Sequence, residues 1–526
     1  MSSFYRLVKS SWLMAVVFFL AGMFLYTRLN SFPFYYHPDE SGKVIQILNH
    51  SRNLKHPLLL LTATRWMTAF HVGPLTGKTV VETGRTASAF FSVGAVFALA
   101  MLARRMGNSI GGPLAGVLAG WSAGLLVLVN PSVFEFAHYM KEDPALAMGM
   151  ALAFLAAHAF WTRKDDYSIV LLGAATAVAA SGKYVGWILF PISVALLHAG
   201  REKTDWKRSF RLFIISFAAL WSVLNYSFFL NPFKIFSSLT HETVGVVEGH
   251  RGYQKSVPHA DYLRLIFAMP GAITALFGVY LAGLVLRFRK TTMPEWIVPG
   301  ASLLLLILMS CSPKSAPRYF LPVEVVICFG AGLAASLSAY WLTGFLGKGR
   351  KVAQVCVWTA LLGFALWNTI PALAAKYEAI TVDDRDALKA WISANLPVTA
   401  IIAEDARVCL PVSDDWIYKG VPRLPQRVLC KEFVADLGSL EEMRAQGITH
   451  VIVAAPTFQR FDLFTPSSKI KHEFDARAAF YRSLGVLQNS SPVPGVKCIW
   501  SAPGGTNIYL RPGLSIFDIS SVVPKG

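Results

Sequence analysis

Eleven long apolar runs separated by short charged loops dominate this chain, at about 11–29, 84–103, 110–129, 144–162, 168–182, 184–199, 210–230, 264–286, 296–311, 319–345 and 352–375. A run of that length without interior charge needs a bilayer or a very large core around it. Only 15% of the residues are charged, and the mean hydropathy is +0.47. Soluble domains carry about 25% charged residues. The expected fold class is therefore a polytopic α-helical membrane protein with about 11 transmembrane helices. The first run follows Arg6 and Lys9, shows no small-x-small cleavage site and is soon followed by Arg28, so it reads as a retained signal anchor.

The formal net charge is +18. In a soluble protein such an excess points to nucleic acid. Here the basic residues sit in short loops between apolar runs, where they set topology and attract anionic lipid head groups, so no nucleic-acid partner is expected. Arg6/Lys9, Arg104-Arg105, Arg163-Lys164, Arg201/Lys203/Lys207/Arg208, Arg287/Arg289/Lys290 and Lys348/Arg350/Lys351 form the set assigned to the cytoplasm, together with the N-terminus. The stretch from Asp166 to Arg201 has basic flanks at both ends. Two short passes meeting near Ser181-Gly182 satisfy it, with Lys183 at the tip. Loops 30–83, 130–143, 231–263 and 312–318 then share the exoplasmic face with Lys183.

Within loop 30–83, residues 38–50 and 58–70 read as short helices lying on the membrane surface. From about 376 the texture changes. A helix is expected over Asp383–Asn395, strands over Ala400–Ala403 and Thr449–Ala454, and a helix near Leu440–Gln446. Lys497–Ser501 and Asn507–Leu510, separated by Gly504-Gly505, suggest a hairpin. The expected division is a transmembrane catalytic domain over 1–375 and a small exoplasmic α/β domain over 376–526. Of six cysteines, Cys311, Cys328 and Cys356 lie in or beside apolar helices, and Cys409 with Cys430 is a candidate disulfide.

Acids at a membrane face are costly and usually have a job. In His37-Pro38-Asp39-Glu40 the pair Asp39 and Glu40 fits a helix start, since acids complement the macrodipole. It also fits a general base that takes a proton from a hydroxyl nucleophile. In Lys141-Glu142-Asp143-Pro144, Asp143 fits the N-cap of a helix over 144–162, or Glu142 and Asp143 form a second acidic site that orients an acceptor, holds a basic partner or offers oxygen ligands to a divalent cation (Mg, Mn or Zn). Lys183-Tyr184 inside an apolar hairpin either snorkels or meets an anion. Lys314, Arg318 and Tyr319 offer a second cationic cluster on the same face. Two cationic sites opposite two acidic sites suggest a phosphate leaving group facing a carboxylate base. His241, His250 and Arg251 either line this pocket or belong to an ordinary polar loop, and their spacing is a weak metal signal.

These residues resemble the GT-C membrane glycosyltransferases that use polyprenyl-phosphate sugars, the protein O-mannosyltransferase and aminoarabinose transferase group. The resemblance covers most of the first 375 residues. It is carried by Asp39-Glu40, by Lys-Glu-Asp at 141–143, by Ser-Gly-Lys-Tyr at 181–184 and by Arg-Tyr-Phe-Leu-Pro at 318–322. It implies an inverting transfer of a sugar from a polyprenyl-phosphate donor to an exoplasmic acceptor. Asp39 would be the base, Glu40, Glu142 and Asp143 would shape the site, and Lys183 and Arg318 would stabilise the lipid phosphate. No metal is carried over, because metal dependence varies among such enzymes.

No GxxxxGK[ST] and no GxGxxG after a strand occurs, which argues against ATP-driven transport and against a Rossmann nucleotide-sugar enzyme. A transporter or lipid flippase is the alternative, and would place charges near the midplane of repeated halves. No repeat is evident, and the charges lie at one face. The modest length and the C-terminal Val-Pro-Lys-Gly, which carries no retention signal, point to a bacterial plasma membrane.

Overall fold

Gly112 takes φ 79° and ψ −177°, a conformation open to glycine, and Pro113 follows it. The helical stretch Gly77–Leu128 (α4) therefore cannot run straight. It folds back there, so that Gly116 and Gly120 lie against the backbone carbonyls of Arg104 and Ala100. The result is a hairpin, with Arg104 and Arg105 on the arm that leads into its turn.

The computed structural model describes residues 11–522, apart from 33–34, 52–53, 55, 202–204, 231, 249–252, 255–257, 313–315, 348, 409, 411–422 and 506–508. Around α4 lie α1 (Ser11–Thr27), the short helices α2 (Asp39–Leu48) and α3 (Leu59–Thr68), α5 (Pro131–Ala137), α6 (Asp143–Arg163), α7 (Asp166–Gly182), α8 (Leu189–Ala199) and α9 (Trp206–Leu224). Then come α10 (Pro232–Glu248), α11 (Pro258–Ala268), α12 (Gly271–Leu286), α13 (Met293–Ser310), α14 (Leu321–Leu342) and α15 (Arg350–Thr381). Each of the eleven apolar runs is mainly helical, and helices α2 and α3 form where the two short helices of loop 30–83 were expected. Among the described residues five helices are long and apolar enough to cross a membrane, or six when the bent pair α11–α12 is one span. The molecule is an integral membrane protein, with the length-and-apolarity count below the expected eleven. Helices such as α7 and α8 are short because they meet in a tight hairpin, where the Thr176 and Ser193 hydroxyls hydrogen-bond at 3.0 Å.

The basic loops gather at one end of the bundle. Arg104 donates to Ser11 at 2.7 Å, Arg208 pairs with Asp166, and the Arg350 guanidinium stacks on Tyr340. The acid-bearing loops gather at the other end.

Beyond α15, helix α16 (Asp384–Asn395) leads into a five-stranded sheet of order β3-β2-β4-β7-β6. Strands β2 (Ile401–Asp405), β3 (Arg427–Lys431) and β4 (His450–Ala454) are parallel. β7 (Leu514–Asp518) runs antiparallel to β4, and β6 (Lys497–Ala502) antiparallel to β7. Helices α17 (Leu440–Ala445) and α18 (Lys471–Ser483) accompany it. The strand paired with β6 is thus Leu514–Asp518 and not Asn507–Leu510. Leu510 is fully buried in the hydrophobic core of the membrane bundle and so is not in the sheet, and residues 507–508 lie outside the described residues. Cys430 sits on β3 with its thiol hydrogen-bonded to Glu404, while Cys409 is outside the described residues.

The long segment after α9 does not stand apart. Its strand β1 (Tyr253–Gln254) pairs antiparallel with β5 (Thr465–Pro466). The Tyr253 ring is buried among Phe433, Phe461 and Phe474 of the sheet region.

Candidate functional site

The first acidic motif opens α2. Pro38 occupies the N-cap, and Asp39 and Glu40 form the first turn, where acids complement the helix dipole. Glu40 is wholly enclosed. It takes two hydrogen bonds from the Arg85 guanidinium, at 3.1 and 2.8 Å, and backbone N–H groups from Tyr36 and Met140. Arg85 in turn lies over the Tyr36 ring and donates to the Asn30 and Phe32 carbonyls. One turn along α2, Lys43 donates to the Met140 carbonyl at 2.7 Å and to Glu142 at 2.9 Å. Glu40 and Lys43 thereby grip both polar faces of one peptide segment and fix the 138–142 turn against α2.

Lys141, beside Glu142, reaches back to pair with Asp39. The second motif is positioned by close backbone packing. A side chain at Gly149 or Gly182 would collide with the backbone of Ala179 or Leu146, so these glycines let α6 and α7 touch. Lys183, extended at the end of α7, then meets Asp143 at 2.6 Å. The ammonium also sits 4.2 Å from the centre of the Tyr319 ring, and the Arg318 guanidinium lies 5.1 Å from the same ring.

The site therefore assembles four acids and five cations from separate segments. The pairs are Asp39–Lys141, Glu40–Arg85, Glu142–Lys43 and Asp143–Lys183. Arg318 has no carboxylate within ion-pair distance among the described residues, although Asp143 and Asp39 contribute to its field. The acids differ in access: the side chains of Glu40, Glu142 and Asp143 are at most 5% exposed, whereas Asp39 is 47% exposed. Burial opposes charge on Asp39, but Lys141, followed by His37, Lys43 and Arg318, outweighs it and holds the carboxyl well below the usual carboxylate range. Glu142 is also pushed down: burial works against its charge, and Lys43 overcomes it.

Asp39, Glu40, Glu142, Asp143, Lys183, Arg318 and Tyr319 are thus brought together. Tyr184 points its hydroxyl to the Leu54 carbonyl at 2.8 Å and packs with the apolar cluster around α2 and α3, so it braces the loop and does not join the cation pair. Lys314, His250 and Arg251 lie outside the described residues, and His241 is on α10 with its side chain undescribed. Sequence reading passed over Arg85, Lys43 and Lys141 as partners, and Tyr509. A lone arginine in an otherwise apolar run was a usable signal for Arg85. Tyr509 carried none. Its ring comes from the β6–β7 connection and lies 4.3 Å from His37 and 6.1 Å from Tyr139, centre to centre.

The oxygen ligands weighed for a divalent cation are engaged with cations of the chain itself. Each acidic side chain already faces an ammonium or guanidinium, and among the described residues no three His, Cys, Asp or Glu cluster at metal-binding distance.

These features define an integral membrane protein with one charge-dense site at a single end of its helical bundle, and its fold is shared with a solved membrane-protein structure. The particular likeness is to ArnT from Cupriavidus metallidurans bound to undecaprenyl phosphate, at TM-score 0.54 and 16% identity, covering 85% of this chain and 94% of that one. The apo state of the same protein superposes at TM-score 0.52 with the same identity and coverage. An apo oligosaccharyltransferase from Archaeoglobus fulgidus aligns at TM-score 0.49 and 11% identity, over 94% of this chain and 80% of that one. No protein-family model matches the sequence, and no curated protein does.

Proposed function

We propose that this protein is a membrane glycosyltransferase that moves a sugar from a polyprenyl-phosphate donor to an acceptor on the exoplasmic side, inverting the anomeric carbon. The observation that carries the reading is the accessible Asp39 carboxylate set close to Arg318, a cation with no carboxylate at ion-pair distance among the described residues. A base and an anion site in one cleft suit a reaction that removes a proton at one point and releases a phosphate at another. The ArnT structure of this fold holds undecaprenyl phosphate, which supports a polyprenyl-phosphate partner.

In this mechanism the acceptor oxygen attacks the anomeric carbon. The bond from that carbon to the phosphate oxygen breaks, its electron pair stays on the phosphate, and the acceptor proton passes to Asp39. Arg318 and Lys183, stacked about Tyr319, bind the phosphate as its charge grows. Lys141 keeps Asp39 ionised. Glu40, Glu142 and Asp143 hold their cations in place. The protein resides in a bacterial inner membrane, with the N-terminus cytoplasmic and 376–526 an exoplasmic domain over the catalytic bundle 1–375. The acceptor is a hydroxyl of a protein, lipid or glycan.

The test supplies a panel of radiolabelled polyprenyl-phosphate sugars to membranes carrying wild-type protein or Asp39→Asn. Turnover in wild type, lost in a variant that still folds and inserts, is the expected result. Flux of the lipid across the bilayer without sugar release would instead favour a flippase.

A further inference from the structure

The Asp39 backbone N–H donates to His37 Nδ1 at 3.1 Å. A neutral imidazole that accepts at one nitrogen carries its proton on the other, so His37 presents an N–H at Nε2. His37 is 2% exposed, and Nε2 has no hydrogen-bond partner among the described residues. A buried donor without an acceptor is costly, and native structures keep such groups where something else completes them.

The surroundings indicate what completes it. The Tyr509 ring lies 4.3 Å from the imidazole and the Tyr139 ring 5.9 Å, with the open Asp39 carboxylate two residues away. Burial and the Lys141 charge hold the imidazole neutral. Anionic oxygens already have Arg318 and Lys183 to meet. One neutral donor between two aromatic rings has the makeup of a site for an uncharged polar group on a partly apolar body.

We propose that His37 contacts substrate directly, its Nε2–H donating to a neutral hydroxyl oxygen beside Asp39, with Tyr509 of the sheet region forming one wall of that subsite. The hydroxyl belongs either to the transferred sugar or to the acceptor, and in both cases the inference rests on the glycosyltransferase reading.

Two variants of the full-length protein in lipid nanodiscs separate this from a structural role. His37→Asn keeps an acceptor for the Asp39 N–H and loses the distal donor. His37→Gln does the reverse. His37→Asn is expected to bind undecaprenyl phosphate as wild type does and to lose about tenfold in kcat/KM with an undecaprenyl-phosphate sugar, the size of one lost hydrogen bond, while His37→Gln retains most activity. A loss already present when water is the acceptor places the hydroxyl on the donor sugar. A loss seen only in transfer to membrane acceptors places it on the acceptor. Equal activity in all three proteins, or an active His37→Asn beside an inactive His37→Gln, overturns the proposal while leaving the enzyme reading intact. Wild-type protein that neither binds undecaprenyl phosphate nor turns over its sugars overturns both.

Discussion

The Lys43 ammonium meets the Glu142 carboxylate at 2.9 Å, and the neighbour of Glu142, Lys141, returns the contact to Asp39. Two motifs about a hundred residues apart are thus cross-paired, each giving one lysine to an acid of the other. This exchange, with the grip of Glu40 and Lys43 on the Met140 peptide, explains how a short helix and a loop between helices hold a fixed geometry.

Glu142→Gln should be strongly destabilising. Both partners are nearly fully enclosed, and removing one leaves a buried charge unpaired, at a cost of about 3–5 kcal/mol. Replacing both with methionine should recover most of the loss. Thermal unfolding of the three detergent-purified proteins checks this, and a double variant no better than the single would show that the pair itself is not the source.

Transfer should keep its base in acid. Lys141 holds the Asp39 carboxyl below the ordinary range, so Asp39 stays ionised as pH falls through 5. The expected kcat/KM profile has no loss from this group between about pH 5 and 8. In Lys141→Met the largest favourable influence on the Asp39 charge is gone, and an acid limb should move up in pH. Identical profiles would remove Lys141 from that role.

Arg318→Gln should weaken binding of undecaprenyl phosphate by about 10- to 150-fold, the equivalent of one charge-assisted hydrogen bond of roughly 1.5–3 kcal/mol. Its effect on folding should be small, because no carboxylate among the described residues loses a salt-bridge partner. Unchanged lipid binding would count against the phosphate role.

The sheet region should lose stability as pH rises. Glu404 on β2 is 1% exposed, and one carboxyl oxygen has no partner among the described residues. Burial pushes its carboxyl up to about 8 from the ordinary 4.5. The native state then keeps a proton that the unfolded chain releases. The contribution is fully present below about pH 4.5 and disappears as pH rises through about 8. Hydrogen exchange of β2 and β4 across this window should show the decline, and Glu404→Gln should flatten it.

Much was written locally. Runs such as 144–162 and 319–345 had to be helical, because in an apolar surrounding their backbone polar groups are satisfied only within a helix. The break in the chain after Gly182 and the placement of α2, α16 and α17 followed from single residues and short periods. Asp39 and Lys183 were legible as charges with no cheap local home.

The sequence by itself determined the membrane class, the helices, and the four acids of the site with two of its cations, Lys183 and Arg318. Tertiary structure alone decided who pairs with whom. Asp39 with Lys141, Glu40 with Arg85 and Asp143 with Lys183 are contacts between distant segments, and charge type does not encode distance. It also decided that Glu40 is enclosed while its neighbour Asp39 is open, since adjacent residues on a helix point in different directions. The hairpin expected between 497–501 and 507–510 kept its first strand but took 514–518 as the partner, for the same reason. Burial of Leu510 in the membrane bundle outweighed a local strand pattern and carried Tyr509 to the side of His37.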